Sequence, residues 1–243
     1  MIPPDHPRYR SLITRERLAR CAQGGIVAME GLAAHGRGEA FDYLLGEKTT
    51  KSAFLAEQTA AAMLLSASYP VISVNGNTAA LAAKEIAELQ KACGAVVEVN
   101  LFHRTEARVA QIEKILRDAG AEVFSGPAEQ LLPLSHDRAW CRREGMYTAD
   151  VVLVPLEDGD RCEALVGMGK KVIAIDLNPL SRTARKATLT VVDEVTRALP
   201  AIARACQDLS DEEKSRLLST LDNHYLLSEA IREITARLSH ALD

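Results

Sequence analysis

At 243 residues, 47% apolar and 26% charged, the chain has the make-up of a soluble globular protein of one large or two small domains, long enough to bury a substantial core. A net charge of -4 argues against a nucleic-acid binder, which carries a basic surface excess, and leaves room only for a local basic pocket. No run of about 18 apolar residues is present to span a membrane, and the polar, proline-rich opening MIPPDHPRYR is no secretory signal; the expected location is the cytoplasm.

The chain opens with an extended lead-in at Pro3, Pro4 and Pro7. From about residue 8, Tyr9, Leu12, Ile13 and Leu18 fall on one side of a helix that stops at Gly24-Gly25. A second helix is predicted over 26–34, stopping at Gly36. The stretch His35-Gly36-Arg37-Gly38-Glu39 then reads as a mobile turn, carrying Arg37 either to a ligand or onto a solvated connector. A short helix over 39–45 and a longer one over 49–68, capped by Thr49 or Thr50, complete a helical head over residues 1–69.

From residue 70 the pattern changes to strand–helix alternation. Strands are predicted at 70–75, 96–100, 122–124, 150–155, 172–175 and 188–193. The helices between them begin after Asn75, at Thr105 and near Glu163, and the stretch 125–149 is irregular. Closing helices follow to residue 243; the last segment starts at a capping box, Ser210 with Glu213. Short links between alternating elements imply parallel strands, so residues 70–243 read as a Rossmann-like α/β body, a three-layer sandwich of about six strands. The five cysteines, Cys21, Cys93, Cys141, Cys162 and Cys206, are scattered singly. They fit reduced thiols and not a disulfide or zinc framework.

In a parallel sheet every carboxyl end lies on one edge, where open α/β sheets take their ligands. The polar residues expected there are Asn75-Gly76-Asn77, Asn100, Glu157-Asp158, Asp176-Asn178 and Asp193-Glu194. Asn75, Gly76 and Asn77 ahead of a helix form either an anion cradle or a plain turn. Asp176, with Ser181, Arg182 and Thr183 beyond it, suits either a ribose beside phosphates or an ordinary strand-to-loop exit with a solvated Arg. The run Leu156-Glu157-Asp158-Gly159-Asp160-Arg161 offers three carboxylates, for magnesium, for an amine, or for helix capping by Asp160. His136 lies in the irregular stretch as a catalytic or a surface histidine. Arg15, Arg17, Arg37, Arg104, Arg138, Arg161 and Arg182 are the cations placed for a phosphate-rich ligand. Dinucleotide, P-loop, zincin and nucleophile-elbow motifs are all missing from the sequence.

Several blocks together resemble the archaeal phosphopantothenate synthetases, or 4-phosphopantoate–β-alanine ligases: H-P-R-Y-R-S-L from His6, G-E-A-F-D-Y-L-L-G-E from Gly38, P-V-I-S-V-N-G-N from Pro70, V-N-L-F from Val99, A-D-V-V-L-V-P-L-E-D-G-D-R from Ala149 and I-D-L-N-P-L-S-R-T-A from Ile175. The resemblance runs over essentially the whole chain. It implies a homodimeric coenzyme A pathway enzyme that joins 4-phosphopantoate to β-alanine through an acyl-adenylate, consuming ATP and releasing AMP and diphosphate. It carries ATP contacts onto Arg17, Arg37, Asp176, Leu177, Asn178, Arg182, Thr183, Asp193 and Glu194; Glu194 stands where Asn is usual, which leaves a backbone contact there. Under this reading Mg2+ arrives with the nucleotide, without a dedicated protein cage, and neither nucleic acid nor membrane is a partner. Asn75, Gly76, Asn77 and Arg104 are the candidates for holding phosphopantoate, and Asp158 or His136 for taking the amine proton. The other reading, motivated by the lack of a self-evident catalytic dyad, is a non-catalytic α/β module that binds a nucleotide or phosphosugar and regulates a partner.

Overall fold

Five parallel strands form the central sheet: β1 (Pro70–Val74), β2 (Val96–Val99), β5 (Val151–Pro155), β6 (Lys171–Ile175) and β7 (Leu189–Val191). This computed structural model describes residues 2–241; the outermost residues of the two expected segments, 1 and 242–243, lie outside it. The spatial order is β2-β1-β5-β6-β7. The chain thus winds outward one way from β1 and the other way from β5, and the switch point lies between those two strands.

The two faces are filled by alternating residues of each strand. Ile72, Val74, Leu153, Ile173 and Ile175 point into one core, with helices α4 (Gly76–Cys93) and α8 (Val195–Asp208). Val71, Val152, Val154, Val172 and Ala174 point into the other, with α6 (Gly159–Gly167). Crossovers of one hand require this, since β1-α4-β2 and β5-α6-β6 travel in opposite directions along the sheet. The N-terminal helices are α1 (Tyr9–Gln23), α2 (Met29–Leu45) and α3 (Lys51–Leu65). α3 packs against α8, and its Ala56, Ala60 and Leu64 share the first core with the sheet. Helices α5 (Glu106–Asp118), α7 (Arg182–Lys186), α9 (Asp211–Ser219) and α10 (Asn223–Ser239) complete the layers. The caps at Thr50, Thr105 and Ser210 form as expected, the last as a full capping box.

Four local expectations are corrected. The sheet has five strands, because Val123 makes only a single parallel bridge to Val97 before Gly126 and Pro127 turn the chain away. The irregular stretch holds an antiparallel ribbon, β3 (Glu129–Gln130) with β4 (Trp140–Cys141). Residues 35–39 are not a turn: α2 runs through them unbroken to Leu45, and of its glycines Gly31 is the one that close packing requires. A Cβ on Gly31 would lie 2.4 Å from Asn77 Oδ1, and one on Gly38 would touch Leu177. Finally, α6 begins at Gly159 and is capped by Asp158, not by Asp160.

Gly76 shows why the rim can be so crowded. A Cβ there would meet the Ile26 carbonyl oxygen at 2.2 Å, and that oxygen also accepts from Arg108 Nη2. Gly36 faces open space. Gly76→Ala is expected to destabilise the fold by about 1–3 kcal/mol through overpacking, whereas Gly36→Ala is expected to stabilise it by about 1 kcal/mol through helix propensity. Urea denaturation of the two variants beside the parent checks both signs.

Candidate functional site

A cleft of about 770 Å³ opens at the carboxyl ends of the strands, at the switch point. Its floor is made by the chain leaving each strand. Asn75 caps α4 through Oδ1, which accepts from Thr78 N at 3.0 Å, while its Nδ2 donates to the carbonyls of Pro155 and Leu156, both at 3.0 Å. One side chain therefore ties the end of β1 to the end of β5. Leu156 needs that tie: its φ is +55°, a conformation that a branched residue holds only under outside constraint. The left-handed turn at Leu156 sends Glu157 inward and Asp158 to the cleft wall.

The roof is α2, which lays Gly31, Arg37, Gly38 and Phe41 along the cleft, with Ala28 just before its first turn. Asn77 Nδ2 donates to the Gly31 carbonyl at 2.8 Å and holds the roof to the floor. Both ends of the Asn-Gly-Asn motif are thus committed to the protein's own backbone, and the close approach allowed by Gly76 is taken by Ile26. Apolar walls come from Leu81, Leu101, Phe102, Leu177 and Val195.

At the β6–β7 end stand Asp176, Asn178, Thr183 and Glu194. The Asp176 carboxylate accepts from Asn178 N at 2.9 Å and from the Ser181 hydroxyl. Burial pushes its carboxyl up, against those two hydrogen bonds. Glu194 caps α8, accepting from Thr196 N at 2.8 Å, and burial raises its carboxyl too. These oxygens are acceptors suited to hydroxyl donors. At the β2–β5 end Arg108 donates to the carbonyls of Gly25, Ile26 and His103, one bond from each of its three nitrogens. Arg138 is 5% exposed and lies against Asn100 and Glu157. Between the two ends Asp158 uses Oδ1 to cap α6, and its Oδ2 has no hydrogen-bond donor. His136 Nε2 stands 3.8 Å from that oxygen, and the ring stacks on Phe102 with centroids 4.9 Å apart.

The three carboxylates after β5 do not gather. Glu157 pairs with Arg161 and, at 3.3 Å, with Arg138; Asp158 is a cap; Asp160 turns out to Arg182. Among the described residues no group of three or more His, Cys, Asp or Glu side chains is arranged to hold a metal ion, and no helix is long and apolar enough to cross a membrane.

Residues 52–237 match phosphopantothenate/pantothenate synthetase. The chain belongs to that family. It is 60% identical over 243 residues to the 4-phosphopantoate--beta-alanine ligase of Methanospirillum hungatei JF-1, with all of both chains covered. It is 55% identical over 241 residues to the ligase of that name from Methanosarcina mazei, covering 98% of this chain and 95% of the relative. Against that of Thermococcus kodakarensis it is 50% identical over 244 residues, covering 98% and 94%.

Of the positions to which the sequence assigns roles in a synthetase of this family, the cleft brings together Arg37, Asn75, Gly76, Asn77, Asp158, Asp176, Leu177, Asn178, Thr183 and Glu194. Arg17 is outside, donating to the Leu81 carbonyl at 3.1 Å just where α4 kinks at Ala82, although Leu81 itself lines the cleft. Arg182 and His136 line a smaller side cavity of about 390 Å³, and Arg182 is paired to Asp160 and Glu163. Arg104 lies off the cleft, paired to Glu106. Asp193 is buried behind Glu194. Not singled out beforehand were Phe102, Arg108 and the roof residues of α2 other than Arg37; their signal, a helical face that meets loops instead of core, is not visible in periodicity.

Asp193 sits in a network that spans the molecule. It accepts from Thr49 Oγ1 and from Arg197, which also pairs with Asp42 of α2. Glu57 of α3 is 1% exposed, and neither of its oxygens has a donor. Burial first, and then the facing Asp193 carboxylate, push Glu57 up to about 8, with Arg204 and Arg197 opposing. Two facing carboxylates without a donor between them are stable only when one keeps its proton. The folded protein therefore holds a proton that the unfolded chain releases from pH 4.5 upward, and stability falls as pH rises from there to about 8. Glu57→Gln is expected to flatten this dependence, and to be the more stable form at pH 8.5, by about 1–3 kcal/mol. Melting temperatures of both proteins between pH 5 and 9 measure it.

Proposed function

We propose that the protein is an ATP-dependent ligase that joins 4-phosphopantoate to β-alanine, forming 4'-phosphopantothenate, AMP and diphosphate in coenzyme A biosynthesis. The observation that carries this reading is full-length identity of 49–60% to four ligases of that name, together with one cleft at the switch point that is acidic at one end and cationic at the other.

A carboxylate is a poor acyl donor. In the first step an oxygen of the phosphopantoate carboxylate attacks the α-phosphorus of ATP, and the bond to the β-phosphate oxygen breaks, releasing diphosphate. In the second step the β-alanine nitrogen attacks the acyl carbon and AMP leaves with its oxygen. No nucleophilic side chain is needed, so the cleft must supply orientation, charge and a proton acceptor. Asp176 with its neighbours Leu177 and Asn178 suits the nucleoside, and Thr183 and Glu194 bound the same end. Arg37 reaches in from the roof. Arg182 would have to leave Asp160 and Glu163 to reach a triphosphate. In this reading Mg2+ comes with ATP, carried by its phosphates. A cytoplasmic setting and a homodimer belong to the same proposal.

Asp158 is the proton acceptor in this reading. It stands mid-cleft with Oδ2 free of donors, and His136 at 3.8 Å is placed to share the proton. The purified protein with ATP, magnesium, 4-phosphopantoate and β-alanine is expected to release AMP only when phosphopantoate is present. ATP binding without turnover would instead favour the regulatory module. Asp158→Asn is expected to lower kcat by a factor of about 10²–10⁴ and to leave ATP affinity unchanged; coupled AMP assays and calorimetry separate the two effects.

A further inference from the structure

We infer that the rim is divided by charge, and that Arg138 at the β2 end takes the anionic group of the acid substrate while the nucleotide lies at the β6–β7 end. The inference rests on the ligase reading and assigns a position to its second substrate.

Arg138 is buried beside the end of β2, and it lines the cleft. Its Nη1 donates to Asn100 O at 3.0 Å and to Asn100 Oδ1 at 3.2 Å; its Nη2 faces Glu157 Oε1 at 3.3 Å. Of five guanidinium N–H groups, one on Nη2 and the one on Nε are left over. Nε is buried with no partner, which is costly unless an acceptor arrives. Glu157 is shared between Arg138 and Arg161, and Arg161 is fully buried with Ser73 Oγ at 2.8 Å from its Nη2. Glu98 is the next carboxylate to act on Arg161, and Asp158 the next to act on Arg138, so the wall charge is balanced and what Arg138 lacks is an acceptor. A phosphate monoester or a carboxylate supplies that acceptor, in the side-on fork geometry that guanidinium favours.

The strand order sets the scale. From β2 to β6 is three strand spacings, about 14 Å at about 4.8 Å each. Arg138 and Asp176 therefore mark opposite ends of one groove, with Asp158 between them, where the two substrates must react.

Calorimetric titration of wild-type protein and Arg138→Lys with 4-phosphopantoate, with pantoate and with ATP tests the division. The lysine variant keeps a charge facing Glu157 but loses the fork. It is expected to bind 4-phosphopantoate about tenfold more weakly or worse, with ATP affinity changed by less than about twofold. A parallel loss for pantoate identifies the carboxylate as the group bound, and a loss confined to 4-phosphopantoate identifies the phosphate; both support the assignment. Unchanged 4-phosphopantoate affinity, or an equal loss for ATP, overturns it. If Arg138→Lys does not fold, the wild-type protein decides: the Arg138 Nε–H resonance should shift on adding 4-phosphopantoate and stay in place with ATP, and the reverse refutes the assignment. Wild-type AMP release in the ligase assay keeps this result separate from the reading it rests on, since Arg138 can fail while turnover stands.

Discussion

The rest of the site depends on the side chain of Asn75. Its amide binds the carbonyls of two successive residues at the end of the neighbouring strand, and its oxygen caps the helix that follows its own. That arrangement fixes Leu156 at positive φ, and the turn so made decides where the next two carboxylates go. A strained residue of this kind costs on the order of 1 kcal/mol and persists only where surrounding bonds over-determine it. Here they do: Leu156 N also donates to the Ile175 carbonyl at 3.1 Å, so three strands β1, β5 and β6 hold one turn.

The second organising feature is the buried ion cluster behind the cleft. Glu157, Arg138 and Arg161 are removed from water, which is unfavourable for each taken singly and tolerable only as a bonded set. Such a cluster is weak evidence for stability. Its effect is positional: it keeps a guanidinium in a dry wall, where Coulomb interactions are far stronger than at the surface. Glu98 does similar work nearby, accepting from the backbone of Arg142 at 2.9 Å and Met146 at 2.8 Å and so shaping the loop that underlies the wall.

Much of this was legible in the sequence, for reasons that differ by element. The runs at 151–155 and 172–175 announce central strands because burial on both faces leaves no polar gap, and Asp176 follows as a rim residue by topology alone. Block resemblance carried the family. What the sequence hid was contact across distance. Gly36 and Gly38 look like a flexible connector, since nothing local reveals that α2 runs through them and sets Gly38 against Leu177. Glu157 looks like solvated charge until Arg138 and Arg161, 19 residues back and 4 residues on, are found on either side of it. Asp158 rather than Asp160 caps α6 because the preceding turn, not the composition, sets where the helix begins. Gly76, expected in an anion cradle or a plain turn, admits the Ile26 carbonyl instead.

The three glycines in α2 have a thermodynamic consequence. Each costs a helix interior about 1 kcal/mol relative to alanine, so the roof is intrinsically the poorest helix former among the long helices. Its order is borrowed from its floor, through Asn77, and from its far end, where Asp42 is gripped by Arg197. Any molecule that binds only beneath the wound α2 therefore stabilises that helix by mass action, and by linkage the winding of α2 reports on occupancy of the space beneath it.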